Sequence, residues 1–221
     1  MATVAGVDGC RGGWVVVRAV PEPFGILAIE VVPEIAPLIA EGLELVAIDM
    51  PIGLPSRRPR AADREARARL GPRRASVFPT PARVVLDATD HEDASARSRS
   101  AIGAGVSIQA WNLVPKIREL DASLDPRLQA RVRETHPELA FARLAGAPMS
   151  DPKRTPAGRA ARREVLGLGE AEIPRLRGAA SDDVLDAIVL AHAAAAMRDG
   201  SAIVVGDGER DQRGLRMEIW G

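Results

Sequence analysis

Between Val4 and Arg18, two apolar, β-branched runs enclose a single carboxylate and a glycine-rich turn: Val4-Ala-Gly-Val-Asp8-Gly-Cys-Arg-Gly-Gly-Trp14-Val-Val-Val-Arg18. Val4 to Val7 is short, apolar and β-branched, and it reads as a buried strand. Gly9, Gly12 and Gly13 permit a tight connection, and Trp14 to Val20 reads as the return strand of a hairpin. Asp8 is therefore expected at the end of a central strand. A lone buried carboxylate is unfavourable unless it is paired, hydrogen-bonded or bound to a metal. The rest of the chain has to supply what Asp8 meets.

Gly25 to Val32 reads as a third antiparallel strand after the turn at Pro21-Glu-Pro23. Ile35, Leu38 and Ile39 have helical spacing, so Pro33 to Gly42 reads as a short helix that Gly42 ends. Leu43 to Ile48 is another buried strand, and Asp49 follows it directly. Leu128 to Arg133 is expected as a further strand leading into Glu134-Thr-His136-Pro-Glu138, with Pro137 opening the next helix. His136 has two readings there, a hydrogen-bonded structural histidine or a ligand or proton-transfer group. Glu138 is explained by the helix dipole alone. Thr155 to Leu168 is expected as another helix.

Ser181-Asp-Asp-Val-Leu-Asp186-Ala-Ile-Val-Leu-Ala-His192 opens a helix that is apolar nearly all round, which means burial. Ser181 is the expected N-cap. Asp183 and Asp186 are three apart and share a face, whereas Asp182 points elsewhere. Capping accounts for acids in the first turn but poorly for Asp186, which lies deeper among Leu185, Ala187 and Ile188. Ala202 to Val205 and Leu215 to Ile219 read as short terminal strands.

Residues 55–127 differ in character and read as a mostly helical insertion in a single domain spanning 1–221. Its first part is dense in arginine, including Arg57, Arg58, Arg64 and Arg67, against only Asp63 and Glu65 up to Arg83. That segment is either a basic surface for phosphates or a solvated helix in an arginine-rich chain. The 30 basic and 30 acidic residues cancel, so whole-chain charge points to no partner. A single cysteine, Cys10, excludes an intrachain disulfide and fits a reducing, cytoplasmic setting. No leader and no membrane-length apolar run is legible.

Three antiparallel strands, a helix, a strand ending in Asp49 and a late apolar helix with acids near its start resemble the ribonuclease H-like fold. That is an α/β architecture with a mixed sheet, three antiparallel strands and then parallel ones, flanked by helices. Asp183-Val-Leu-Asp186-Ala resembles the acidic helix of RuvC-type Holliday junction resolvases. More closely, the chain is similar to the DUF429 family of predicted ribonuclease H-like nucleases. The similarity rests on Gly6-Val-Asp8-Gly-Cys-Arg-Gly-Gly-Trp14, Ala47-Ile-Asp49-Met-Pro-Ile-Gly53, Ser76-Val-Phe-Pro, Glu134-Thr-His-Pro-Glu138 and Asp182-Asp-Val-Leu-Asp186-Ala. Where the resolvases carry Glu on the second acidic strand, this chain has the shorter Asp49, and Glu134 either compensates or supports.

The resemblance implies metal-assisted phosphodiester hydrolysis on nucleic acid, DNA or RNA. Crowded carboxylates repel unless a cation neutralises them, and Mg2+ or Mn2+ suits all-oxygen ligands. Asp8 is expected to bridge two ions, with Asp49 on one side, Asp183 or Asp186 on the other, and Glu134 as a fourth candidate. Arg11, Arg57, Arg58, Arg64, Arg67 and Lys116 are the expected nucleic-acid contacts. A homodimer is possible by the same analogy. Two other classes stay open: an ATP-binding protein of the actin and sugar-kinase type, which needs two such domains, and a non-catalytic nucleic-acid-binding protein of the same fold.

Overall fold

The computed structural model describes residues 2–221. Strand β1 (Val4–Cys10) pairs antiparallel with β2 (Gly13–Pro21), and β2 pairs antiparallel with β3 (Phe24–Val32). Helix α1 (Ile35–Ala40) returns the chain to β4 (Leu45–Ile48), which lies parallel to β1. β5 (Val132–Glu134) adds parallel to β4, giving the order β3-β2-β1-β4-β5. This is the mixed sheet of a ribonuclease H-like fold, with β1 at its centre.

Strand periodicity sorts the side chains between two cores. Ala5, Val7, Val46 and Ile48 pack with α1 and with Ile117 and Leu120 on one face. Val4, Cys10, Val15 and Ala47 pack on the other face against Ile188, Leu190 and Ala191 of α7 (Ser181–Asp199). Asp8 follows Val7 by one residue and Asp49 follows Ile48 by one, so both carboxylates fall on the α7 side. A Cβ on Gly6 would lie 2.1 Å from Ala187 O and 2.2 Å from Ala191 N. Gly6 therefore admits the α7 backbone directly against β1.

Within 55–127 lie α2 (Ala61–Leu70), α3 (His91–Ile102) and α4 (Ile108–Ser123). The polar stretch 84–100 holds most of a capped helix: Asp90 accepts from Asp93 N at 2.9 Å, and Gly103 closes α3 in the left-handed conformation. α4 runs through Pro115, because burial of Ala110, Val114, Ile117 and Leu120 holds both halves in line. The strand expected from Leu128 begins only at Val132, since residues 128–130 form a 3-10 turn. Helices α5 (Pro137–Ala145) and α6 (Pro156–Val165) follow. The short strands β6 (Val204–Val205) and β7 (Ile219–Trp220) pair with each other in a separate two-stranded sheet. Among the described residues, no helix is long and apolar enough to cross a membrane.

Candidate active site

Three elements bring carboxylates to one cleft. Asp8 on β1, Asp49 after β4 and Asp186 on α7 all line a cavity of about 450 Å3. Asp8 and Asp186 are buried, at 7% and 1% exposure, and Asp49 is partly buried. Burial pushes the Asp8 carboxyl well above its usual range, and Asp49 and Asp186 push it further. Burial likewise raises Asp49, with Lys153 and His136 opposing. Burial lifts Asp186 to about 6, against the opposing pull of Lys153. Each acid thus makes its neighbour harder to ionise.

The counter-charge is Lys153, which the sequence reading did not single out. Its Nζ donates to Asp186 Oδ2. Burial works against the ammonium, but Asp186, Asp8 and Asp49 together hold its pKa above the normal lysine value. Lys153 sits on the turn before α6, and no helical or strand period marks it in the sequence.

Glu134 also lines the cleft, yet its carboxylate is committed elsewhere. It pairs with Ile48 across the β4–β5 ladder, so it falls on the α4 face, opposite the pleat of Asp8 and Asp49. Its Oε1 accepts from Arg60 Nη2 and its Oε2 from Arg60 Nη1, each at 2.6 Å, and Oε2 also accepts from Ile52 N at 2.6 Å. Arg60 further donates to Asp63 from Nε at 2.9 Å and from Nη2 at 2.5 Å. The guanidinium is only 2% exposed. Burial opposes its charge, and the two carboxylates more than offset that.

Asp183 does not line the cleft. Its Oδ2 accepts from Ala180 N at 2.8 Å and closes the first turn of α7. The N-cap is Ala180 rather than Ser181, and Asp183 at the third helical position reaches back to accept from the N-cap's own N–H, the acidic half of a capping box. Asp183 still lies near enough to Asp8 to add a small repulsion. His136 lines the cleft but caps α5: Nδ1 accepts from Glu138 N at 3.2 Å and Nε2 faces Ser76 O at 3.3 Å. In the neutral ring this pattern places the proton on Nε2, which then donates to the Ser76 carbonyl.

The expected basic face is dispersed. Arg11, Arg57 and Arg64 are exposed and outside the cleft. Arg58 pairs with Glu209 at 3.2 Å and Asp207 at 3.7 Å, and Arg67 donates to Val77 O at 2.9 Å. Lys116 donates to Gly13 O and sits 4.4 Å from the Trp14 ring centroid, fastening the first hairpin. The cationic residues that do line the cleft are Arg60, Arg73, Lys153 and Arg154.

Glu138 is a site residue that helix-dipole reasoning passed over. It lines the cleft at 4% exposure, and its Oε1 accepts from Arg162 Nη2 at 2.5 Å. Its Oε2 is buried without a hydrogen-bond partner. The sequence signal was its place in the Glu134-Thr-His-Pro-Glu138 stretch, where Pro137 fixes the chain entering α5.

The family model described as "Protein of unknown function (DUF429)" matches residues 6–210. The chain belongs to this family. No curated protein and no solved structure is found to match it. The DUF429 match covers every carboxylate of the cleft, from Asp8 to Asp186.

The donor set is all oxygen, which fits a hard divalent cation better than zinc. Among the described residues, no three of these side chains close on a single point to hold an ion. Lys153 occupies the position of counter-charge instead. The acids fit a cation in charge and chemistry, and closing on one requires Lys153 to yield Asp186.

Crowding at the cleft has a pH signature. A carboxyl raised in the fold binds its proton more tightly than in the unfolded chain. Its contribution to stability is complete below the unfolded-state pKa of about 3.9 and is lost as pH rises through the folded value. At neutral pH Asp8 therefore opposes folding, whether it is ionised against its neighbours or has to take up a proton. Asp8→Asn is expected to stabilise the metal-free protein at pH 7, with the gain vanishing near pH 4. Urea melts of both proteins across this range measure it, and a variant less stable at pH 7 would show that Asp8 is held by attraction instead.

Proposed function

We propose that this protein is a metal-dependent nuclease that hydrolyses phosphodiester bonds. The observation that carries the reading is the convergence of Asp8, Asp49 and Asp186, from β1, β4 and α7, on one cleft where a single ammonium answers their charge. A protein gains nothing in stability from three such acids, so their role is a ligand's.

Asp8, Asp49 and Asp186 are the residues that would hold Mg2+ or Mn2+. Such an ion, when bound, lowers the pKa of a coordinated water and stabilises charge on a phosphoryl oxygen. The chain's own groups do the rest. The Arg60–Glu134 pair holds Ile52 N, and so fixes the segment that follows Asp49. Asp183 ties the start of α7 and sets the direction of Asp186, one turn on. Lys153, released from Asp186, becomes an ammonium at the cleft for a phosphate.

Thermal melts in millimolar Mg2+ or Mn2+ test the reading. Selective binding to the folded state should stabilise the wild type by about 2.7 kcal/mol when the ion is at about 100 times its Kd, and so raise its melting temperature. Asp8→Asn should abolish the shift, and Asp8→Asn and Asp186→Asn should both abolish cleavage of labelled oligonucleotides. Equal metal shifts in wild type and variant, with no cleavage of DNA or RNA, would overturn it.

A further inference from the structure

The Ser76-Val-Phe-Pro stretch has no part in the acid site, yet it forms one wall of the same cleft. Ser76, Val77, Phe78, Pro79, Thr80 and Pro81 all line it. Asp63 accepts from Thr80 N at 2.7 Å, and Thr80 is buried, so this wall is anchored at its C-terminal end to α2. Arg67 donates to Val77 O and anchors the other side. Between these two anchors Phe78 is 43% exposed. Phe78 thus presents a phenyl ring on the wall of the cleft that holds the acids.

The cleft's size points the same way. Its volume of about 450 Å3 falls within the ~300–1,000 Å3 of small-molecule sites. The acids line it together with residues of the 72–81 segment and the turn carrying Pro152, Lys153 and Arg154. A duplex reads best on an open basic face, and the arginines expected to form one are paired or lie outside the cleft. Enzymes that act on buried targets take the nucleotide out of its stack or use unpaired strands.

Resting on the nuclease reading above, we propose that this cleft takes one unpaired nucleotide unit, with its base stacked on Phe78 and its phosphate towards Lys153 and Arg73, and excludes intact duplex. The unit comes from a single strand or as a free nucleotide, two sources of the same chemistry. Base-on-aromatic stacking is tolerant of sequence, because every base presents a π face. Glu138 Oε2, buried in the cleft wall without a partner, is the acceptor for a sugar hydroxyl or base amino group. Arg73 lies 3.6 Å from Glu138 Oε1, lines the cleft and keeps its side chain 18% exposed, so it can also donate to the phosphate.

The test is binding, by titration calorimetry on full-length Asp8→Asn protein so that nothing is cleaved. The probes are a short single-stranded oligonucleotide, a nucleoside monophosphate, and the same sequence as a closed-ended duplex. The expected result is binding of the oligonucleotide, the monophosphate or both, with the duplex at least about ten-fold weaker. Phe78→Ala should weaken that binding by about ten-fold, and Phe78→Trp should restore it. The monophosphate alone binding identifies the free nucleotide as the source and removes the nuclease reading, since a monophosphate carries no phosphodiester bond; the oligonucleotide alone binding identifies the strand. Duplex binding as tight as single-strand binding, or no effect of Phe78→Ala, overturns the inference. The two readings fail separately. Phe78-dependent binding with no hydrolysis by wild type would remove the nuclease and keep this substrate class. Hydrolysis of duplex that ignores Phe78 would do the reverse.

Discussion

Replacing Arg60 with Met is expected to cost about 3–5 kcal/mol of folding stability, because it leaves two buried carboxylates without their cation. Arg60 is the hub of a closed network: it donates to both oxygens of Glu134, to Asp63, and to the carbonyl of Ile52 at 3.1 Å. Asp63 in turn holds Thr80, and Glu134 holds Ile52 N. Removing the hub therefore loosens both the Phe78 wall and the segment after Asp49. Lysine should not rescue, since an ammonium cannot bridge two carboxylates as a planar fork does. The triple variant Arg60→Met, Glu134→Gln, Asp63→Asn should recover a substantial part of the loss, because the uncompensated charges go with the cation. Urea denaturation of these variants at pH 7 measures each step. A loss under about 1 kcal/mol for Arg60→Met alone would mean that Glu134 and Asp63 take up protons at little cost.

That network also shows where reading the chain by pattern succeeds and where it stops. The β1–β2–β3 meander, the parallel return to β4 and the buried α7 were legible, because each rests on a long apolar period or a glycine-marked turn. Asp8, Asp49 and Asp186 were legible for the same reason: strand ends and one helix face have directions that a period fixes. The same arithmetic could have separated Glu134. It sits in register with Ile48, whereas Asp49 is one residue further on, so their side chains take opposite faces. The sequence reading leaves Glu134 as either compensating for Asp49 or supporting it, and that single step separates it from Asp8 and Asp49.

Arginines were a different case. Arg58, Arg64 and Arg67 look like Arg60 in a segment with so much positive charge, and no local period says which one turns inward. Only the tertiary demand of Glu134 does, and Glu134 is 74 residues away. Lys153 escapes notice for the same reason, because its partner Asp186 is 33 residues on. The Asp90 cap of α3 and the Asp183 cap of α7 are local and could be read, but acids at a helix start serve equally well as caps and as ligands until burial distinguishes them. Asp186 at 1% exposure and Asp183 partly exposed make that distinction.

Gly6 gives the second large effect, because the geometry of the acids depends on how closely α7 approaches β1. Gly6→Ala would place a methyl 2.1 Å from Ala187 O, 2.2 Å from Ala191 N and 2.7 Å from Leu190 C. All three are backbone atoms of a helix buried from Val184 to Ala191, so no side chain can swing aside. Overpacking a core costs about 1–3 kcal/mol when side chains can adjust, and more when they cannot. The expected loss is at the top of that range or above it, a large share of the ~5–15 kcal/mol of a typical domain. Where the variant still folds, α7 must lift from the sheet and carry Asp186 away from Asp8, so any metal-induced rise in melting temperature should shrink with it. Gly9→Ala is the matched control three residues on. Its methyl would meet Lys116 Cδ at 3.0 Å, a side-chain atom that can shift by a few tenths of an ångström at some cost to the Lys116 hold on Gly13 O, so the loss should be smaller than for Gly6→Ala. Urea melts of the two variants, with hydrogen exchange along α7, compare them directly. Equal stability for Gly6→Ala and Gly9→Ala would show that α7 has room to move, and that the placement of Asp186 against Asp8 is set by something other than this contact.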